Sequence, residues 1–136
     1  MSPVAYEDLQ KRIAETLGVQ IKEFHKKIFE INEKFRNLGL ETSVWYPEKI
    51  HTINHGGIVA DSYFGYSKLE GRWGLVIRTI EHDQQSHAYV GQRLLAMELC
   101  RNMEIGVNAL KKVDALMQCI QDAVEKQINV LSHRDR

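Results

Sequence analysis

Apolar residues in the C-terminal part of the chain recur at helical spacing over a long stretch. From Leu99 to Leu131 the apolar residues of this stripe recur in steps of three or four, and only the gap between Met103 and Leu110 is wider. This period places apolar side chains on one face of an α-helix. The pattern therefore predicts one helix over residues 92–131, roughly 55–60 Å long.

A second stripe of the same kind occupies the N-terminal part of the chain. Ser2 and Pro3 form a helix start signal, a capping hydroxyl followed by proline at the first helical position. Apolar residues then recur in steps of three or four from Leu9 to Leu38, and Gly39 follows as the residue that ends the helix. We predict a helix over residues 3–38.

Between the two stripes the pattern changes to β-favouring and aromatic residues separated by turn signals. Asn54–Gly57 and Leu69–Gly71 are predicted turns, because Asn and Gly tolerate a positive φ angle. The predicted β-meander covers residues 41–81, with strands at 41–46, 58–67 and 73–81, and a further short strand or extended lead-in at 88–90.

Two registers are open for the hairpin formed by the last two meander strands. A four-residue loop would place Asp61 opposite Arg78, whereas a three-residue loop with a bulge would place Gly65 opposite Leu75. Charge pairing favours the first register and turn statistics favour the second.

Together these elements predict an α+β fold of order α-β-β-β-α, in a single domain over residues 1–136. Two long antiparallel helices form an α-hairpin, and an antiparallel β-meander of two to four strands is inserted between them. The helical stripes are broad, since Ala109, Leu116 and Ala123 flank the main line of the second one. Apolar surface that stays exposed to water loses a stabilisation of about 25 cal/mol per Å² that burial would provide. We therefore expect a homodimer in which two hairpins form a four-helix bundle.

Composition and charge limit the classes of binding partner that we expect. The 18 basic residues are matched by 18 acidic ones, and no segment carries the basic excess that nucleic acid or an anionic membrane would select. No signal peptide or run of 18 apolar residues occurs, and the two cysteines, Cys100 and Cys119, lie too far apart on one predicted helix for a disulfide. These features favour a cytoplasmic protein with no nucleic-acid or membrane partner.

The hairpin segment Phe64–Leu75 resembles a motif of uncharacterised bacterial proteins. In that group a Gly-rich strand, a turn ending in Gly and a Trp-Gly-Leu strand lie between two long helices, and the run Gly71–Leu75 carries the most specific part of the likeness. The resemblance covers this segment and the order of elements. It implies the same fold, and it implies no functional residue because no activity is known for the group.

Residues that could support catalysis or metal binding do not form a recognisable site. His51 and His55 have the spacing of a helical zinc pair but lie next to a Gly-Gly turn, and His82 and His87 lie in a polar loop. No Gly-x-Ser-x-Gly elbow, phosphate loop or Rossmann glycine pattern occurs. We therefore expect no enzyme activity, no metal and no cofactor, with a small hydrolase or metal enzyme as the weakest alternative.

The meander is rich in aromatic residues, and strand alternation must send some of them to each face. Tyr and Trp bury a large area and keep a polar atom, which suits a binding surface. We expect a non-catalytic module for protein interaction or assembly, with an unknown protein partner. The alternative is a small-ligand-binding protein with an aromatic pocket between the meander and the helix ends. The candidate binding residues are Trp45, Tyr46, Tyr63, Tyr66 and Trp73.

Overall fold

The computed structural model describes residues 3–134, which form an α+β fold with five antiparallel strands and three α-helices. A 3₁₀ turn at Met97–Leu99 separates the last strand from the second helix. The elements in chain order are α1 (Pro3–Asn37), β1 (Val44–Trp45), β2 (His51–His55), β3 (Ile58–Leu69), β4 (Arg72–Asp83), β5 (Tyr89–Ala96), α2 (Met103–Leu110) and α3 (Val113–Arg134).

The N-terminal helix is confirmed to within one residue at its C-terminal end. Helix α1 covers Pro3–Asn37, and Gly39 has a φ angle of 65°, as expected for the residue that ends a helix. The predicted capping residue, Ser2, lies outside the described residues. Phe24, Ile28 and Phe35 of this stripe belong to the core, whereas Leu9, Ile13 and Ile21, nearer the N-terminus, are exposed.

The prediction of one helix over residues 92–131 is wrong. Residues 89–96 form β5, and α-helical structure begins only at Met103 and is interrupted at Lys111–Lys112. Leu99, which the helical stripe included, is 64% exposed in the 3₁₀ turn. The start of α2 is fixed locally by Asn102, whose Oδ1 accepts a hydrogen bond of 3.1 Å from the backbone N–H of Ile105.

The predicted architecture of a helical hairpin with two to four strands is therefore wrong as well. The sheet has five strands in the order β1-β3-β4-β5, and β2 also pairs with β3. Helix α1 packs mainly against β4 and the 3₁₀ turn, whereas α3 packs mainly against β1. Helices α1 and α3 thus contact the sheet more than each other, which removes the basis for the predicted four-helix bundle.

Two tight turns set the register of the sheet. The turn predicted at 54–57 is confirmed only at Gly56 and Gly57, which both have positive φ and join β2 to β3, because Asn54 and His55 belong to β2. Glu70 and Gly71 likewise have positive φ and join β3 to β4 in a two-residue loop, the type I′ geometry that matches strand twist. Both predicted hairpin registers are wrong, because Asp61 pairs with Ile80 and neither longer loop is used.

This register gives the sheet a covered face and an open face. Phe64, Tyr66, Leu75 and Ile77 point to the covered face, where they join the core formed with the three helices. Helix α2 packs closely on α1 in this core, since a Cβ atom at Gly106 would lie 2.5 Å from Cζ of Phe24. The residues next to Phe64, Tyr66, Leu75 and Ile77 in sequence point to the opposite face of the sheet, the open face.

Candidate functional site

The structure divides the five predicted binding aromatics between the two faces of the sheet. Trp45 and Tyr63 lie on the open face, where both are half-buried. Tyr66 is buried in the core, and Trp73 stacks on it with ring centroids 5.6 Å apart. Tyr46 packs against the core with Lys112 Nζ 5.4 Å from its ring centroid. The five residues therefore do not form one site.

Trp45 and Tyr63 enclose a residue that sequence reasoning did not select, Arg78. Its Cζ atom lies 4.4 Å from the Trp45 ring centroid and 5.7 Å from that of Tyr63. Tyr63 is the cross-strand partner of Arg78, and Trp45 pairs with Gly65 in the next row. Neither predicted register placed Arg78 opposite Tyr63, so this cluster could not be found from the sequence. We name Trp45, Tyr63 and Arg78 the arginine clamp.

The absence of a side chain at Gly65 makes the clamp possible. A Cβ atom built there would lie 2.6 Å from Cδ2 of Trp45 and 2.7 Å from the carbonyl oxygen of Val44. The indole therefore rests on the backbone of β3, which a larger residue would prevent. This contact holds the ring in position for the guanidinium of Arg78.

The guanidinium of Arg78 has no carboxylate partner among residues 3–134. Its Nε atom is buried and makes no hydrogen bond within this part of the chain. The nearest acid along β3, Asp61, accepts a 2.7 Å hydrogen bond from Thr52 Oγ1 and has Lys49 Nζ at 3.6 Å. The open face therefore carries a positioned cation whose charge is not neutralised by a neighbouring acid.

The buried aromatics line a shallow cavity of about 420 Å³ at the C-terminal end of α1. Arg36 donates from Nε to the carbonyl oxygen of Trp73 at 2.8 Å and holds this strand against the helix. Burial raises the pKa of Tyr66, an effect that the positive charge of Arg36 partly offsets. Tyr66 and Trp73 thus form part of an aromatic pocket at a helix end.

A larger cavity of about 540 Å³ lies on the covered face, where the helices stop short of the sheet's far end. None of the five predicted aromatics lines it. Cys100 contributes its side chain to the wall, and burial raises the pKa of that thiol, so it stays protonated at neutral pH. Most of the wall is apolar, with the hydroxyls of Ser62 and Thr79 among its polar groups.

The four histidines considered as metal ligands lie in the sheet and in the loop after β4: His51, His55, His82 and His87. His82 Nδ1 is 3.9 Å from Asp61 Oδ2, and its ring centroid is 6.3 Å from that of His87. Among the described residues no group of three or more potential metal ligands comes together. Within residues 3–134, no helix combines the length and the apolar character needed to cross a bilayer.

The resemblance of the hairpin segment Phe64–Leu75 to a motif of uncharacterised bacterial proteins remains a prediction, because no matching protein was found that could test it. Comparisons with models of protein families, with curated proteins and with solved structures each found no match.

Proposed function

We propose that this chain is a non-catalytic protein-interaction module whose contact surface is the open face of the sheet around the arginine clamp. The observation that supports this most directly is Arg78, a half-buried cation held between two aromatic rings without an acidic partner among the described residues. Trp, Tyr and Arg are the residue types that dominate binding energy at protein interfaces.

The chemistry of the clamp defines the partner more closely. A guanidinium held by ring contacts loses little freedom on binding, and its planar donors match a carboxylate. We therefore propose a protein partner that presents an Asp or Glu side chain, or a chain terminus, to Arg78. A carboxylate there would supply the hydrogen-bond acceptor and the negative charge that this cluster lacks.

Site-specific photo-crosslinking in cells tests the proposal. A photoreactive amino acid at Gln92, which is exposed on the open face one cross-strand row from Arg78, is expected to give a discrete protein adduct, and the same group at Phe29 on α1 is not. Arg78→Gln should abolish the adduct, and Arg78→Lys should reduce it strongly because lysine lacks the planar fork. Arg12→Gln, which removes an exposed arginine of α1, is the matched control and should leave the adduct unchanged.

The far-UV circular dichroism of each variant checks that it folds. An adduct that persists in the folded Arg78→Gln variant would contradict the assignment of the clamp. An adduct lost equally in Arg12→Gln would show that general charge, and not this cluster, is recognised.

We also propose that the chain forms a homodimer, through the N-terminal half of α1 instead of the four-helix bundle. Leu9, Ile13 and Ile21 are exposed at spacings of four and eight residues, so they share one side of the helix. A second copy offers an identical apolar stripe, as two-fold symmetric dimers require. Because the helix is long here and the side chains are aliphatic, paired stripes would remove them from water.

Sedimentation velocity at micromolar concentration is expected to show a dimer for the full chain. Ile13→Glu should give a monomer, because it places a charge within the paired stripe. Ile128→Glu, an exposed isoleucine on α3, should leave the dimer intact. A monomer in the unmodified chain would remove the dimer proposal without affecting the arginine clamp.

The alternative function, binding of a small ligand in an aromatic pocket, is favoured by the cavity beside Tyr66 and Trp73. A compound that raises the Tm of the unmodified chain but not of Trp73→Ala would favour it. For either function we place the chain in the cytoplasm, because Cys100 and Cys119 are both free thiols.

A further inference from the structure

A row of polar side chains crosses three strands on the covered face, where apolar residues are expected. Ser62 pairs with Thr79, and Thr79 pairs with Arg93, so the three residues stand in register on β3, β4 and β5. The two hydroxyl oxygens are 3.1 Å apart, and Ser62 is almost completely buried. Cross-strand neighbours lie about 4.5–5.5 Å apart, so the row offers two hydroxyls and a guanidinium to one ligand group.

Apolar residues surround this row and form the wall of the 540 Å³ cavity. Ile77 and Leu95 form the next cross-strand row, and Ile105 of α2 faces them. Leu95 is 40% exposed and Ile53 is 39% exposed although both point to the covered face, because the helices do not extend over them. The volume falls within the range of about 300–1,000 Å³ that is typical of small-molecule sites.

The charged residues that line the cavity are both basic. Arg93 Nη2 is 3.0 Å from Glu81 Oε1, and Arg101 contributes a second guanidinium from the segment before α2. None of the described lining residues is acidic. An apolar cavity with hydroxyl and guanidinium donors at one side is complementary to a ligand with an apolar body and a single negative group.

We propose that this cavity binds a small carboxylic acid with an extended apolar body, such as a medium-chain alkyl carboxylate. The carboxylate accepts hydrogen bonds from Arg93 and from the hydroxyl of Thr79. The alkyl chain lies against Ile77, Leu95 and Ile105. This site is on the face of the sheet opposite the arginine clamp, so it does not depend on the proposed interaction function.

Isothermal titration with decanoate, and with decanol as its neutral analogue, tests the proposal on the full chain. Decanoate is expected to bind at one site per chain and more tightly than decanol. Arg93→Gln should weaken decanoate binding about tenfold, the size expected for a charge-assisted hydrogen bond, and leave decanol binding unchanged. Thr79→Val, which keeps the side-chain shape, should weaken decanoate binding several-fold by the same argument. Arg12→Gln serves again as the matched control and should bind both compounds normally.

A cavity-filling variant locates the site. Ala60 lines the cavity, and Ala60→Leu should abolish decanoate binding while the circular dichroism spectrum and the arginine-clamp adduct are retained. Three results would overturn the proposal: no decanoate binding to the folded unmodified chain, equal affinity for decanoate and decanol, or full affinity in Arg93→Gln. If decanoate bound as expected but the unmodified chain gave no crosslinking adduct, the interaction proposal would be overturned and the ligand proposal would stand.

Discussion

Replacing Phe64 by alanine is expected to lower the free energy of unfolding by about 3–5 kcal/mol, the usual cost of removing a buried aromatic ring. Phe64 is 0% exposed and lies where the helices meet the centre of the sheet. Phe29→Ala removes the same side chain from α1, where it is 59% exposed, and should change stability by less than about 0.5 kcal/mol. Urea denaturation followed by circular dichroism measures both values.

A second, milder variant keeps the prediction testable if Phe64→Ala does not fold. Phe64→Leu keeps most of the apolar volume and should cost less than half as much as Phe64→Ala, because the cavity left behind is smaller. If Phe29→Ala were as destabilising as Phe64→Ala, the exposed side of α1 would be buried in solution, and the assignment of the covered face to the core would need revision.

Replacing Gly65 by alanine is expected to cost about 1–3 kcal/mol, the range for overpacking a closely packed position. The new methyl group would meet the Trp45 ring and the backbone of Val44, and backbone cannot move aside as a flexible side chain does. The indole must then leave the backbone of β3, which dissociates the arginine clamp. Trp45 fluorescence, recorded in a Trp73→Phe background, should shift to longer wavelength as the ring becomes more hydrated.

Gly91→Ala is the matched control for this variant. Gly91 is also a strand glycine, but a Cβ atom there would meet nothing within 4 Å. The control should change stability by less than about 0.5 kcal/mol and leave the Trp45 spectrum unaltered. An unaltered spectrum in Gly65→Ala would contradict the described packing of Trp45 on β3.

Local patterns were sufficient to predict α1 and the two turns of the sheet. The apolar period of α1 is regular, and Gly39 ends it with the expected positive φ. The turns are specified by glycine, whose conformational freedom is a local property. These elements depend on residues close together in the chain, so one sequence contains the information needed to place them.

The segment before α2 shows where local reasoning fails. The helix predicted over residues 92–131 includes Leu94 and Leu95, but β4 has an edge whose backbone groups need a partner, and β5 supplies it. That requirement arises only once β4 is placed in the sheet. The arginine clamp could not be predicted for a similar reason. Trp45 and Tyr63 could be selected by residue type, whereas Arg78 joins them only in the observed register of β3 and β4.

The two-residue turn at Glu70–Gly71 has a chemical consequence for both surfaces of the sheet. Ser62 precedes Tyr63 and Arg78 precedes Thr79, so consecutive residues serve opposite faces. One extra residue in that turn, with β4 shifted by one residue along β3, would place Arg78 opposite Ser62 on the covered face and Ile77 opposite Tyr63 on the open face. The length of a single tight bend thus decides which chemistry faces outward and which faces inward.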